Sequence, residues 1–435
     1  LRQGAVWFVK HCPEHGRQEE RIYGDDQAYL ALPHYHRAGQ IPLKSSGDGT
    51  EGCPSSCGIC SNHEQHICMP IVEITDHCDM ACPVCLVKTP GTFHLTLDQV
   101  NGILDRLLAA EGQIDILNLS GGEPTVHPDF RAIIEACLAR EMILYVSVST
   151  NGRRLARDPA LVRFLAERGA IISLQYDGHD AQSCHTMRGG DWVDQRLRLI
   201  DDIGAADGRM SLTVTAMRGQ NEDQLGGVLE TLFTRDHVIS VMIQPLAYVG
   251  EAARIPRPAD ALTISDILRQ INGACAGMVS AEDFCPLPCS HPACFSLAFY
   301  LRTGAREYVP LRKLFTADRY LDVLQNRAML GSDGETYDQI RAAIYDLWSG
   351  PAGMAPDSTK ALGAVRELLN RFHTAGMCNC RASVAAASGM LKSIFIHHFM
   401  DRHTFDLSRA RKCCQVYPLA DGRIMPACVY NCLRR

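Results

Sequence analysis

The sequence predicts an α/β fold built on a parallel sheet, and three observations carry that expectation. From about residue 70, short apolar segments alternate with amphipathic helical ones. Polar or glycine-containing turns fall where those segments should end as strands. A Cys-x3-Cys-x2-Cys run, Cys78, Cys82 and Cys85, follows the first of them. Strands are expected at 71–75, 114–119, 143–149, 170–176, 210–216 and 239–245. A helix after each implies one parallel sheet with right-handed crossovers. The chain has 435 residues, 46% of them apolar, enough for a sizeable core, and an α/β barrel uses roughly 200–250 residues as one unit.

Taken in order, residues 1–69 are rich in Gly, Pro, Cys and His with little periodicity, and read as a metal-stapled, loop-rich lobe. Residues 70–250 hold the alternating strands and helices. In the first helix, Val100, Ile103, Leu104, Leu107 and Leu108 form an apolar face, and Thr96 with Asp98 behind it is a start signal. Segments 129–140 and 159–168 are similar. Beyond about residue 250 the strand signal fades. The region 251–435 reads as largely helical, with helices at 262–278, 317–329, 336–348, 359–373 and 383–400 interrupted by cysteine clusters.

Composition narrows the function classes. Net charge is −6 with no basic run, so no nucleic-acid partner is indicated. No apolar stretch approaches the ~20 residues of a membrane-spanning helix, so no integral membrane segment is expected. The 20 cysteines sit in metal-ligand spacings in a large α/β chain without a visible signal peptide. A reducing, cytoplasmic setting and metal ligation fit them better than disulfides.

A [4Fe–4S] cluster is normally held by four thiolates. Cys78, Cys82 and Cys85 have no fourth cysteine close downstream, so they suggest a cluster with one iron left open to bind a small molecule. A zinc site is the alternative, but the run lacks a paired second half at zinc-ribbon spacing. Three turns follow at strand ends, where ligands gather in parallel α/β sheets. They close Asp115 to Pro124, Val146 to Gly152 and Ile171 to Gly178. In the first, Gly121 and Gly122 allow close backbone approach, and Glu123 offers a carboxylate to an ammonium group.

Cys53, Cys57 and Cys60 repeat the same spacing, with Cys68 available as a fourth ligand; a structural zinc site is the alternative. Further along, Cys289 and Cys294 with Cys413, Cys414 and Cys428 make a third candidate set, in which one of the adjacent Cys413 and Cys414 is spare. Cys285 and Cys432 are also candidates. Cys137, Cys184 and Cys275 read as small core hydrophobes. Cys378 and Cys380 stay unassigned.

The order of these motifs resembles the radical S-adenosylmethionine (SAM) superfamily. Two longer patterns narrow the resemblance. One is Gly52-Cys-Pro-x-x-Cys-Gly-Ile-Cys…His63…His66-Ile-Cys68 before the main triple; the other is Lys412-Cys-Cys…Asp421-Gly-Arg-Ile-Met-Pro-Ala-Cys428…Tyr430-Asn431. Together they are similar to the family of tetraether lipid synthase and the C-methylase of methanopterin precursors. The resemblance implies a partial (β/α)6 barrel, a SAM-binding [4Fe–4S] cluster with two auxiliary clusters, and an electron donor such as a reductase, ferredoxin or flavodoxin. It implies that the turn at Gly121, Gly122 and Glu123 binds SAM's amino group. Ser149, Asn151, Gln175 and Gln244 become candidates for cofactor contacts, and Gln175 and Asp177 for facing a substrate, with a solvated turn as the alternative for each.

The expected reaction is carbon–carbon bond formation at an unactivated carbon of a small-molecule substrate. C-methylation of a small heterocycle such as a pterin comes first. Coupling of lipid alkyl chains is the alternative, and a non-enzymatic electron carrier a third. Members often carry a rubredoxin-like site; here Cys12-Pro-Glu-His-Gly16 is present without the upstream pair, leaving Cys12 as a ligand or a buried thiol. His127 reads as structural, and His397-His398 as a packed or surface pair on an apolar helix.

Overall fold

The structure, a computed structural model, describes residues 1–433 apart from 48, 51, 56, 276, 328–329, 331–335, 343–357, 377–379 and 382–388. Cys378 and parts of the helices expected at 317–329, 336–348 and 383–400 therefore lie outside the described residues.

The strands are β1 (Val6–Cys12), β2 (Gly16–Tyr23), β3 (Met69–Thr75), β4 (Ile114–Gly121), β5 (Ile143–Thr150), β6 (Ile171–Gln175), β7 (Arg209–Ala216) and β8 (Val238–Pro245). After them come β9 (Cys285–Pro286), β10 (Phe295–Gly304), β11 (Glu307–Pro310), β12 (Leu391–His397), β13 (Gln415–Pro418) and β14 (Ile424–Pro426). β3 to β8 lie side by side in chain order, every neighbouring pair parallel. These are the six strands expected from the sequence. Helices lie between them, as at Leu97–Glu111, Phe130–Leu138 and Pro159–Glu167. The first starts at Thr96, whose hydroxyl accepts from the Gln99 N–H at 3.2 Å while the Gln99 side chain accepts from the Thr96 N–H at 2.8 Å. That reciprocal pair satisfies two of the helix's free donors.

The strands are two-faced. Leu117, Leu119, Val146, Val148, Ile172, Leu174, Leu212, Val214, Val241 and Ile243 are buried in the main core. The alternate residues of the same strands face a cavity on the other side. Parallel strands are usually apolar on both faces because both are packed. Here the second face is largely polar, as a cavity wall can be.

The C-terminal third departs most from the sequence reading. It contains helices at Ile264–Ala274, Ala317–Leu324 and Ser358–Thr374, where helices were expected, but it also extends both edges of the sheet. β12 pairs in parallel with β8, and β10 lies antiparallel between β12 and β11. At the other edge β13 pairs in parallel with β3 and antiparallel with β14. Within the expected helix 383–400, Leu391–His397 is thus a strand. Its run Ile394-Phe-Ile396 is uniformly apolar and so fits either period, and β-branched and aromatic residues in a short run favour the strand. His397 and His398 accordingly close a strand and are buried; the His397 ring stacks on Phe295 at 3.9 Å. The N-terminal lobe is also more regular than expected, with β1 and β2 forming an antiparallel hairpin before a helix at Asp26–Ala31.

Candidate active site

The cysteine loop begins where β3 ends, and β4 determines its seat. The Gly122 N–H donates to the Thr75 carbonyl at 2.8 Å, and the Glu123 N–H to the His77 carbonyl at 2.8 Å. A Cβ on Gly121 would sit 2.0 Å from the Thr75 oxygen, and one on Gly122 would sit 2.2 Å from the His77 oxygen. Both positions therefore require glycine. The close approach inferred from the sequence is real, and its target is the chain's own cysteine loop.

Cys78, Cys82 and Cys85 are half-buried and line one cavity of about 340 Å3. Burial pushes the Cys78 thiol up to about 12, so a neighbouring positive charge such as a metal's is what would ionise it. Gly122, Glu123, Ser149, Asn151, Gln175 and Gln244 line the same cavity. Gly121 stands behind it, against Thr75.

Glu123 is 1% exposed. One carboxylate oxygen accepts from the Thr125 and Thr150 hydroxyls at 2.6 and 2.7 Å, and the other from the Asn151 N–H at 2.7 Å. Burial nevertheless raises its pKa, against the pull of those hydrogen bonds. No Lys or Arg forms an ion pair with it among the described residues, so a ligand ammonium arriving from the cavity would meet a fixed, uncompensated carboxylate. The Asn151 amide donates to Asp79 at 2.8 Å and lies 3.9 Å from Cys78 Sγ, which ties the second turn to the cysteine loop.

Asp177 differs from its expected place. It faces Arg188, with Nε–Oδ2 at 2.7 Å and Nη2–Oδ1 at 2.9 Å, in a buried pair. Burial opposes the Asp177 charge, but Arg188 holds the carboxyl below its ordinary value. Arg188, which sequence reasoning missed, lines the cavity in its place. Its only sequence signal was a basic residue near a helix end. Gln175 is held between Arg196 at 2.6 Å and Asp177. His127 is structural: its ring bonds the Leu95 carbonyl at 2.9 Å and accepts from the Asp129 N–H at 3.0 Å.

Sequence reasoning also missed a belt of hydroxyls. Ser149 pairs in register with Ser173, Ser173 with Ser211, Ser211 with Ser240, and Ser240 with Ser393. Five adjacent strands thus place a serine at the same height, all five lining the cavity. Ser240 donates to Ser211 at 2.7 Å, Ser173 bonds Thr213 at 3.0 Å, and Ser149 donates to Asn118 at 3.0 Å. Small side chains at one level leave the room that larger barrel residues would fill. Phe299, Phe395, Phe399 and Tyr417 close the cavity from the C-terminal strands and the segment after β12. The signal for the belt was a serine at an inward position of each strand, readable only once the register is known.

The other cysteines sort differently from their sequence grouping. Cys53 lies beside Arg411 and Cys60, and Cys57 packs against the apolar cluster that includes Ile71, Phe399 and Tyr417. Cys68, expected to join them, instead neighbours Cys289 and Cys414, and the Gln65 amide reaches both Cys68 and Cys289 sulfurs at 3.4 Å. The seven residues between Cys60 and Cys68 carry the chain away to the start of β3. Cys294 accepts from Arg409 at 3.2 Å, and Cys428 accepts from the Met400 N–H at 3.2 Å. Cys413 donates to the Gln415 carbonyl at 3.0 Å. Cys285 is buried in the core with Cys289 and Cys294. Among the described residues no three His, Cys, Asp or Glu side chains converge as a single ion requires. Cys12 lies on the exposed hairpin with its sulfur 3.2 Å from His15.

Residues 72–232 match the Radical SAM superfamily. This segment is a radical SAM domain. It covers β3 to β7 and the cysteine loop, the glycine turn and most of the cavity wall. The whole chain is 24% identical, over 467 aligned positions, to 7,8-dihydro-6-hydroxymethylpterin dimethyltransferase of Methanocaldococcus jannaschii, covering 99% of this chain and 90% of that one. It is 29% identical over 293 positions to GTP 3′,8-cyclase of Pectobacterium atrosepticum, covering 59% of this chain and 86% of that one. A crystal structure of Streptococcus suis SuiB bound to S-adenosylmethionine aligns with a TM-score of 0.41 at 14% identity, over 48% of this chain and 47% of that one; the chain spans about half the length of such solved structures. The radical SAM family implies a [4Fe–4S] cluster and SAM. The three cavity-facing thiols and the uncompensated Glu123 carboxylate fit that pair of ligands. Among the described residues no helix is long and apolar enough to cross a membrane.

Proposed function

We propose that this radical SAM enzyme forms a carbon–carbon bond on a small, flat, polar heterocycle, most simply by C-methylation of a pterin. The observation that carries the reading is the serine belt, which shares a cavity of about 340 Å3 with Phe299, Phe395, Phe399 and Tyr417. That volume falls at the lower end of small-molecule sites, roughly 300–1,000 Å3. Hydroxyls donate and accept alike, which suits the mixed edge of a pterin. Alkyl chains would need a longer channel. The near full-length similarity to a pterin dimethyltransferase points the same way.

In this reading Cys78, Cys82 and Cys85 hold the cluster, and Glu123 takes the ammonium of SAM. Asn151, Ser149 and Gln244 line the cofactor's place, and Gly121 and Gly122 keep the loop and the carboxylate in one frame. When bound, the cluster and SAM supply a 5′-deoxyadenosyl radical that abstracts hydrogen from carbon. Arg188, fixed by Asp177, supplies a buried positive charge for a ligand carboxylate. The serines orient the substrate, and Phe395 and Phe399 help exclude water from the reacting carbon. Two further thiol groups hold auxiliary clusters: Cys53, Cys57 and Cys60 in one, and Cys68, Cys289 and Cys414 in the other, with Cys294, Cys413 and Cys428 alongside. The divisions 1–69, 70–250 and 251–435 then mark shares of labour around one sheet. A cytoplasmic reductase, ferredoxin or flavodoxin would feed the clusters.

The test is anaerobic incubation of the reduced protein with SAM. 5′-Deoxyadenosine should form, its yield should rise with 7,8-dihydro-6-hydroxymethylpterin, and deuterium from labelled pterin should appear in it. Stimulation by a long-chain phospholipid with none by the pterin would overturn the substrate assignment.

A further inference from the structure

Gln415 opens β13, which pairs with the first residues of β3, immediately after Cys413 and Cys414. It is 3% exposed, and its side chain lines the cavity. The amide nitrogen lies 3.4 Å from the Met69 sulfur, a weak acceptor, and among the described residues the amide oxygen has no hydrogen-bond partner. Exchanging the two atoms does not mend this, because one of them always faces the thioether and the other faces nothing. A buried amide left this way loses its hydration with little in return. The strand places it in the cavity that the serine belt also lines, beside Met69 and two residues before Tyr417. A carboxamide has one donor and one acceptor side by side, the complement of a ring amide with an N–H next to a C=O.

We propose that Gln415 recognises the substrate, pairing its carboxamide with the ring amide edge of the heterocycle while the ring lies in the cavity lined by the serine belt and the aromatic residues. The inference rests on the pterin reading above and adds a specificity-determining residue to it. It also gives the C-terminal strand a reason to join the barrel at β3: the strand delivers a carboxamide with, among the described residues, only a thioether for a partner, whereas Gln175 and Asn118 of the barrel strands are already bonded to Arg196 and Ser149.

The experiment measures equilibrium binding of 7,8-dihydro-6-hydroxymethylpterin to the cluster-loaded full chain, alongside 5′-deoxyadenosine release with reductant and SAM but no pterin. Gln415→Met, close in length and without hydrogen bonds, should weaken pterin binding by about tenfold or more, leaving substrate-free SAM cleavage within twofold. Gln415→Glu keeps the size and the acceptors but loses the donor; it should weaken binding similarly and serves should the Met variant lose its iron or its fold. Pterin affinity within twofold of the parent in a folded variant overturns the role of Gln415 and leaves the pterin reading standing. A parent chain that cleaves SAM but binds no pterin overturns both.

Discussion

Two cysteine triples share one spacing and end in different surroundings. Cys78, Cys82 and Cys85 follow a strand, sit under a two-glycine turn and face the cavity. Cys53, Cys57 and Cys60 lie in a segment without regular strands, beside Arg411 and the aromatic cluster near Tyr417, and are not part of that cavity's lining. Spacing sets how many thiolates a short loop can offer. Whether a substrate can reach the metal they hold is a property of the sheet behind the loop.

The sharpest way to break that comparison is to remove one cysteine from each triple. Cys82→Ala should abolish 5′-deoxyadenosine formation to background, whereas Cys57→Ala should leave it measurable while lowering iron content. Equal loss in both would mean the second triple also supports SAM cleavage. Glu123→Gln should come next. It removes the charge and turns an N–H toward the donors around one oxygen, so SAM affinity should fall by on the order of ten- to a hundredfold, read by equilibrium binding to the cluster-loaded protein.

A smaller effect tests the seat of the loop. Gly122→Ala should cost about 1–3 kcal/mol, because the new methyl meets a backbone carbonyl and not a movable side chain. A shifted denaturant midpoint with unchanged slope would show it, and among the described residues the second triple has no glycine turn of this kind to lose. The smallest expected effect sharpens the grouping of the remaining thiols. Cys68→Ser and Cys289→Ser should each lower iron by the same amount, and the double variant by no more than either alone. Additive losses would return Cys68 to the Cys53 group.

The six strands β3 to β8 could be read from the sequence to within a residue or two, because each carries a short apolar run bounded by a turn and separated by an amphipathic helix. The main cysteine triple and the glycine turn were legible for a similar reason: their chemistry depends on local spacing. β10, β12 and β13 were not legible. Their pairing partners lie far away in the chain, and Leu391–His397 has an apolar run that fits either a helix or a strand until a neighbour claims it. The belt was invisible although every serine in it was in plain view, since a serine at an alternate position is also what any half-exposed strand would show.

Sequence alone determined the local units: which segments pair into a parallel sheet, which cysteines can share a loop, and where glycine must stand. Those follow from periodicity, turn chemistry and ligand spacing over a few residues. Tertiary structure decided the joint features: the Arg188–Asp177 pair, the move of Cys68 to Cys289 and Cys414, the in-register serines and the arrival of Gln415 in the cavity. Each of these depends on which strand lies beside which, and that register is set by the packing of the whole sheet, beyond the reach of any single segment.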